Sequence, residues 1–95
     1  MSRLLLIGAL VAGCAGAPPV ATGADAQRSH VALAELQAGR SMLVQKCGGC
    51  HLAPLPSEHA RFEWPKQLDE MSARAQLDVR QRRRIEAYLV AMAPR

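Results

Sequence analysis

The sequence predicts a small all-α domain, and two observations support that prediction. Apolar residues recur at helical spacing near residues 31–47, 64–71 and 85–92. The alternation of apolar and polar residues that marks a strand does not extend over a useful length in the 95 residues. Aromatic residues make up only 3 % of the chain, at Phe62, Trp64 and Tyr88. A core with so few aromatic rings needs another bulky group to fill it. Small domains usually also depend on a disulfide, a metal or a partner for their stability.

The first thirteen residues are predicted to be an export signal. Arg3 precedes a run of apolar and small residues from Leu4 to Ala12. The run is too short to span a bilayer as a mature helix, and a charged start before a short apolar stretch is typical of a signal peptide. A buried amphipathic helix is the alternative, but no polar face interrupts the run. We therefore expect residues 1–13 to be removed.

The signal ends in Leu10-Val11-Ala12-Gly13-Cys14, which resembles a bacterial lipobox. The resemblance implies that Cys14 is acylated and becomes the new N-terminus of a lipoprotein in the periplasm. Several acyl chains are enough for stable anchoring to a bacterial membrane. Ala15 after the cysteine resembles the pattern of lipoproteins sent to the outer membrane. Ordinary signal cleavage after Ala15 or Ala17 is the alternative.

Residues 14–30 are predicted to form a lipid-anchored flexible tether. They are rich in alanine, glycine, proline and small polar residues, and they show no hydrophobic period. A short ordered arm is the alternative, but it has little apolar surface to offset the entropy of ordering. The folded domain is therefore expected to cover residues 31–95.

The first helix of the domain is expected within residues 31–47 and contains Gly39. A glycine inside a helix often indicates the close approach of another element. A second, short helix with Pro65 in its first turn would place three apolar side chains on one face. These are Trp64, Leu68 and Met71.

The last helix is expected to begin after Asp78. Gln81 follows three residues later, as a capping box requires. Pro94 ends the helical pattern. The buried face would consist of Ile85, Tyr88, Leu89 and Met92.

The segment Cys47-Gly48-Gly49-Cys50-His51 carries the chemistry of the chain. C-x-x-C-H is the attachment sequence for c-type haem. Two thiols at this spacing can reach two vinyl groups on one porphyrin edge, and the adjacent histidine can offer an imidazole nitrogen to iron. We therefore predict one covalent haem c, attached through Cys47 and Cys50, with His51 as an iron ligand.

Three other uses of the cysteine pair are weaker. A thioredoxin-like dithiol lacks the βαβ pattern that would carry it. A zinc site has only His30, His51 and His59 to draw on, without a second cysteine pair. A structural disulfide is permitted in an exported protein.

The region of about residues 37–95 resembles the class I, monohaem cytochromes c. The resemblance rests on Gly39 eight residues before Cys47, on the haem motif, and on the pair Tyr88-Leu89 near the C-terminus. In that family the N- and C-terminal helices pack across a covalently bound haem, and the glycine lets the last helix approach closely. The resemblance implies the same small all-α fold here.

The resemblance also implies a second axial ligand on the iron. Met71 lies 20 residues after His51 and 17 before Tyr88, a placement similar to the family's distal methionine. His59 is the other candidate ligand. Alternatively, Met71 does not bind iron and only packs in the hydrophobic core.

Trp64 is a further candidate for cofactor binding. Its indole N–H could donate to a haem propionate, and Arg61 or Lys66 could neutralise one. The alternative is a buried Trp64 that only covers the haem edge, among ordinary surface charges.

With both axial positions filled, iron has no open position, so an electron carrier is expected rather than an enzyme. We expect a membrane-tethered periplasmic cytochrome that transfers single electrons between redox partners. A dedicated haem subunit of an oxidoreductase complex and a five-coordinate haem sensor are the alternatives. A haem-free lipoprotein with a Cys47–Cys50 disulfide is another.

The chain is basic, with a net charge of +4. Much of that charge lies at Arg80, Arg82, Arg83 and Arg84. Such a run is usually a solvated helix face, but it also favours docking to an acidic redox partner or to anionic lipid headgroups. Nucleic-acid binding is not expected of an exported chain without interleaved aromatic residues.

Overall fold

The structure is a computed structural model and describes residues 16–48 and 53–94. Within these residues all regular secondary structure is helical, which confirms the all-α prediction. The α-helices are α1 (Gly23–Ser29), α2 (Leu33–Cys47), α3 (Trp64–Ala75) and α4 (Val79–Met92). Two 3₁₀ turns, Pro56–Glu58 and Arg61–Glu63, precede α3. None of the helices in the described part of the chain is long and apolar enough to cross a membrane.

The start of α4 has the capping box that the sequence predicts. The Asp78 carboxylate accepts the Gln81 backbone N–H at 2.7 Å, and the Gln81 side chain accepts the Asp78 backbone N–H at 2.9 Å. Two N–H groups that would otherwise lack partners at the helix end are thereby satisfied. Pro65 lies in the first turn of α3, also as predicted.

Helices α2 and α4 form the main packing interface of the domain. Gly39 lies buried where they meet. A Cβ atom on Gly39 would overlap the carbonyl oxygen of Arg84 and lie 2.8 Å from the Cβ of Tyr88. The prediction that another element approaches Gly39 closely is therefore confirmed.

The core is formed mainly by large side chains from α2, α3 and α4. Trp64 and Tyr88 are fully buried, whereas Phe62 is 82 % exposed. Met92 packs against the edge of this core, as predicted. The fully buried aliphatic side chains are Leu36, Leu43, Leu68, Ile85 and Leu89.

Helix α1 lies inside the segment predicted to be flexible. Thr22 caps it, with the Asp25 carboxylate accepting the Thr22 backbone N–H at 2.8 Å. Asp25 also pairs with Arg28 at 2.8 Å. These hydrogen bonds lower the pKa of the Asp25 carboxyl, the bond from the Thr22 backbone contributing most.

The residues before α1 are also attached to the domain. The Pro18 carbonyl accepts the Arg40 Nε–H at 2.8 Å, and the Pro19 carbonyl accepts the Tyr88 hydroxyl. Ala21 is only 3 % exposed. The prediction of a flexible tether is therefore corrected for residues 16–30. This segment has few apolar side chains to bury. Hydrogen bonds from side chains of α2 and α4 attach it to the domain instead.

Candidate functional site

A pocket of about 470 Å³ opens between the C-terminal ends of α2 and α3 and the segment before the first 3₁₀ turn. Its volume lies within the range of about 300–1,000 Å³ that is usual for sites of small molecules and cofactors. Cys47 and Met71 both line it. The fold thus brings together two predicted site residues that are 24 positions apart in the sequence.

Cys47 is the last residue of α2, and Met71 lies in the second half of α3. Both side chains are partly buried and pack against the edge of the core. Cys47 follows Leu43 by four residues, and Met71 follows Leu68 by three, so each continues the buried stripe of its helix. The helical period therefore places both sulfur atoms on the side of the helix that faces the domain interior.

The Cys47 thiol is partly buried. This burial raises its pKa above the ordinary value. Because the thiolate is the reactive form of cysteine, a raised pKa lowers the reactivity of this thiol at neutral pH.

The wall of the pocket is made of small and apolar residues, and its rim is charged. Ala53, Leu55 and Ala75 contribute to the wall. Lys46 and Arg74 are exposed at the rim, and Glu58 is the one carboxylate among the described lining residues. The apolar wall suits a large apolar ligand.

Sequence reasoning did not identify the two basic rim residues. Arg74 lies three residues after Met71 and so shares its helix face. Lys46 directly precedes Cys47. The position of Arg74 relative to Met71 is the signal that could have pointed to it.

Cys14, Cys50 and His51 lie outside the described residues. In the sequence, Cys50 and His51 stand between Cys47 and Ala53, and both of these flanking residues line the pocket.

Trp64 has another partner than the predicted one. Its indole Nε1–H donates to the buried carbonyl of Pro56 at 3.1 Å. An indole has one N–H and no other donor. This donor is thus used inside the core of this structure, and the hydrogen bond from Trp64 to a propionate stays a prediction. Trp64 is not among the residues that line the pocket.

His59 packs edge-on against Trp64, with the ring centroids 4.8 Å apart and the planes at 85°. It does not line the pocket with Cys47 and Met71. Of the two candidates for a second iron ligand, Met71 is the one in the pocket.

A second hollow of about 630 Å³ lies along α4, beside the turn between α1 and α2. It contains none of the residues predicted to attach the haem or bind its iron. Arg61 lines this hollow, and Lys66 is exposed on α3 outside both pockets. This hollow is larger than the pocket at Cys47, but no cysteine or methionine is among its described lining residues.

Among residues 16–48 and 53–94, no three His, Cys, Asp or Glu side chains lie close enough together to hold a metal ion. No protein-family model, curated protein or solved structure matches the chain. The likeness to class I cytochromes c thus remains a prediction based on the residues quoted above.

Proposed function

We propose that the protein is a monohaem c-type cytochrome that transfers single electrons at the periplasmic face of a bacterial membrane. A lipid on Cys14 would hold it there. The observation that supports this proposal best is that Cys47, the first cysteine of the haem motif, lines one pocket with Met71. The resemblance to class I cytochromes c implies a haem attached at Cys47, and this pocket lies beside that residue.

The residues present fit a covalent haem c. Cys47 and Cys50 would attach the porphyrin. His51 would bind the iron through an imidazole nitrogen, and Met71 would bind it through its thioether. When bound, haem c supplies the reversible exchange of one electron. The protein would contribute an apolar wall and the iron ligands His51 and Met71, and none of its side chains would need to act as acid, base or nucleophile.

The crossing of α2 and α4 supports the class I reading. Gly39 lies eight residues before Cys47 and meets the backbone of α4 at Arg84 and Tyr88. This is the helix pair whose close approach at a glycine the resemblance implies. Tyr88 supplies the aromatic side chain beside the glycine.

The basic residues of α4 divide into two groups. Arg82 is bound to Asp69 at 2.8 Å, and Arg84 lies 3.7 Å from Glu35. Arg80 and Arg83 are exposed and form no ion pair with another described residue. These two remain available for a redox partner with an acidic surface. An independent carrier and a dedicated subunit would both use such a contact, and a persistently co-purifying partner would identify the subunit.

The test is a reduced-minus-oxidised absorption spectrum of the full chain, produced in a strain that attaches haem to c-type cytochromes. We expect a c-type spectrum and one haem per chain. Met71→Ala should lower the midpoint potential and allow rapid CO binding to the reduced protein, because a thioether ligand raises the potential and fills the sixth position. His59→Ala should change neither property.

Met92→Ala is the matched control, since Met92 packs against the core but does not line the pocket. It should keep the potential and the CO behaviour of the wild type. A colourless protein would refute the proposal. Rapid CO binding by the reduced wild-type protein would instead support the five-coordinate sensor, and unchanged ligation in Met71→Ala would exclude Met71 as the ligand.

A further inference from the structure

The N-terminal arm reaches the rim of the pocket that contains Cys47 and Met71. Gly16 is one of the residues that line this pocket. Directly after it, the Pro18 carbonyl is held by the Arg40 Nε–H at 2.8 Å, and the Pro19 carbonyl by the Tyr88 hydroxyl. Arg40 belongs to α2 and Tyr88 to α4. The start of the described chain is therefore fixed to the two main helices.

This attachment shortens the connection to the predicted lipid. In the sequence Cys14 precedes Gly16 by only two residues, so a lipid on Cys14 would be attached two residues from the pocket. A flexible tether over residues 14–30 would instead have a root-mean-square length of about 20–25 Å. The arm would thus hold one side of the domain close to the acyl chains.

The rim of the pocket has the charges that suit a membrane surface. Lys46 and Arg74 are exposed there, with Glu58 as the one carboxylate among the lining residues. Basic side chains close to a bilayer are attracted to anionic headgroups. Leu55, partly buried in the pocket wall, adds an apolar contact.

We propose that the pocket rim, formed by Gly16, Lys46 and Arg74, rests against the phospholipid headgroups of the bilayer. The inference rests on the proposed function, including the lipid on Cys14. Its consequence is that the haem is held in one orientation, with the open side of its pocket at the membrane surface. Electrons would therefore enter or leave the haem at that surface.

The test measures proximity to the membrane directly and does not rely on electron transfer. The full, lipidated and haem-loaded chain is placed in vesicles of phosphatidylethanolamine and phosphatidylglycerol that contain a small fraction of nickel-chelating lipid. A nitroxide is attached at Arg74→Cys on the rim or, as the matched control, at Glu35→Cys. Both positions are exposed, and Glu35 lies 12 residues before Cys47, about 18 Å along the axis of α2.

We expect nickel headgroups to enhance the relaxation of the nitroxide at position 74 at least about threefold more than at position 35. A Gly/Ser insertion of twenty residues between Ala15 and Gly16 should abolish this difference, because it lengthens the connection without altering the arm. Loss of the difference after the insertion supports the inference.

Equal relaxation at both positions in the protein without the insertion would overturn the inference. A difference that persists after the insertion would show that the arm does not set the orientation, and would overturn it as well. If the mass of the N-terminal peptide shows no acyl chains on Cys14, the inference fails while a normal haem spectrum leaves electron transfer standing. A protein without haem refutes the proposed function, and the inference falls with it.

Discussion

The contact between α2 and α4 at Gly39 makes one substitution especially informative. At an exposed helix position Gly→Ala would stabilise the protein by about 1 kcal/mol, because alanine is the better helix former. In Gly39→Ala the new methyl group would overlap the carbonyl oxygen of Arg84 and lie 2.8 Å from the Cβ of Tyr88. These atoms are part of α4 or bonded to its backbone, so they cannot rotate away as the end of a long side chain could. The two helices must separate.

The size of the effect follows from the surroundings of Gly39. Inserting a methyl group into a well-packed core typically costs about 1–3 kcal/mol. The upper end applies here, because separating the helices also loosens Leu36, Leu43 and Leu89, which are all fully buried. After the gain in helix propensity, the net loss is about 2 kcal/mol. In a domain of this size that loss corresponds to a decrease in Tm of roughly 8–16 °C.

The measurement is thermal unfolding of the haem-loaded protein, followed by circular dichroism at the helical band. Gly23→Ala is the matched control, because a Cβ on Gly23 meets nothing within 4 Å. Its stability should equal that of the wild type or be slightly higher. If Gly39→Ala melts at the wild-type temperature or above, the close approach of α4 to Gly39 is refuted.

Three further predictions concern other hydrogen bonds of the fold. Asp78→Ala should destabilise the protein by about 1 kcal/mol in urea unfolding, since the cap of α4 is lost, whereas Asp78→Asn should stay close to the wild type because asparagine caps equally well. Trp64→Phe should cost about 1–3 kcal/mol, because the buried Pro56 carbonyl loses its donor; a loss well below this range would contradict that hydrogen bond. Burial raises the pKa of Tyr88 to about 12 from 10.0, so the unfolded chain releases the phenol proton first and stability falls as the pH rises from about 10 to about 12. Urea midpoints at pH 8 and pH 11 should show a smaller fall for Tyr88→Phe than for the wild type, and equal falls would contradict the burial of this phenol.

The regular elements of the domain could be predicted because their signals are local. The helical period placed α2, α3 and α4, and the Asp78 cap fixed the start of α4 within the sequence itself. Gly39 pointed to a helix contact because it lies at a position where glycine is otherwise costly. Each of these signals depends on residues within one or two turns of each other.

The arm before α1 and the partner of Trp64 could not be predicted, for a shared physical reason. In both cases the acceptor is a backbone carbonyl, at Pro18, Pro19 and Pro56. Every residue has such a carbonyl, so the sequence does not indicate which one a distant side chain will reach. Proline also cannot donate a backbone hydrogen bond, which makes these stretches look irregular from the sequence alone.

The pocket itself is a continuation of the core, and this explains why two of its residues could be foreseen. On α2 the buried stripe passes from Leu43 to Cys47, and on α3 it passes from Leu68 through Met71 to Ala75. If side chains alone filled the core at this point, we would expect large aliphatic residues at the next buried positions of both helices. Here they end in sulfur-bearing and small side chains, and a pocket of about 470 Å³ lies between them. A ligand of matching size in this space would bury the partly exposed side chains of Leu55, Met71 and Ala75, which is the role that the proposed haem would have in this fold.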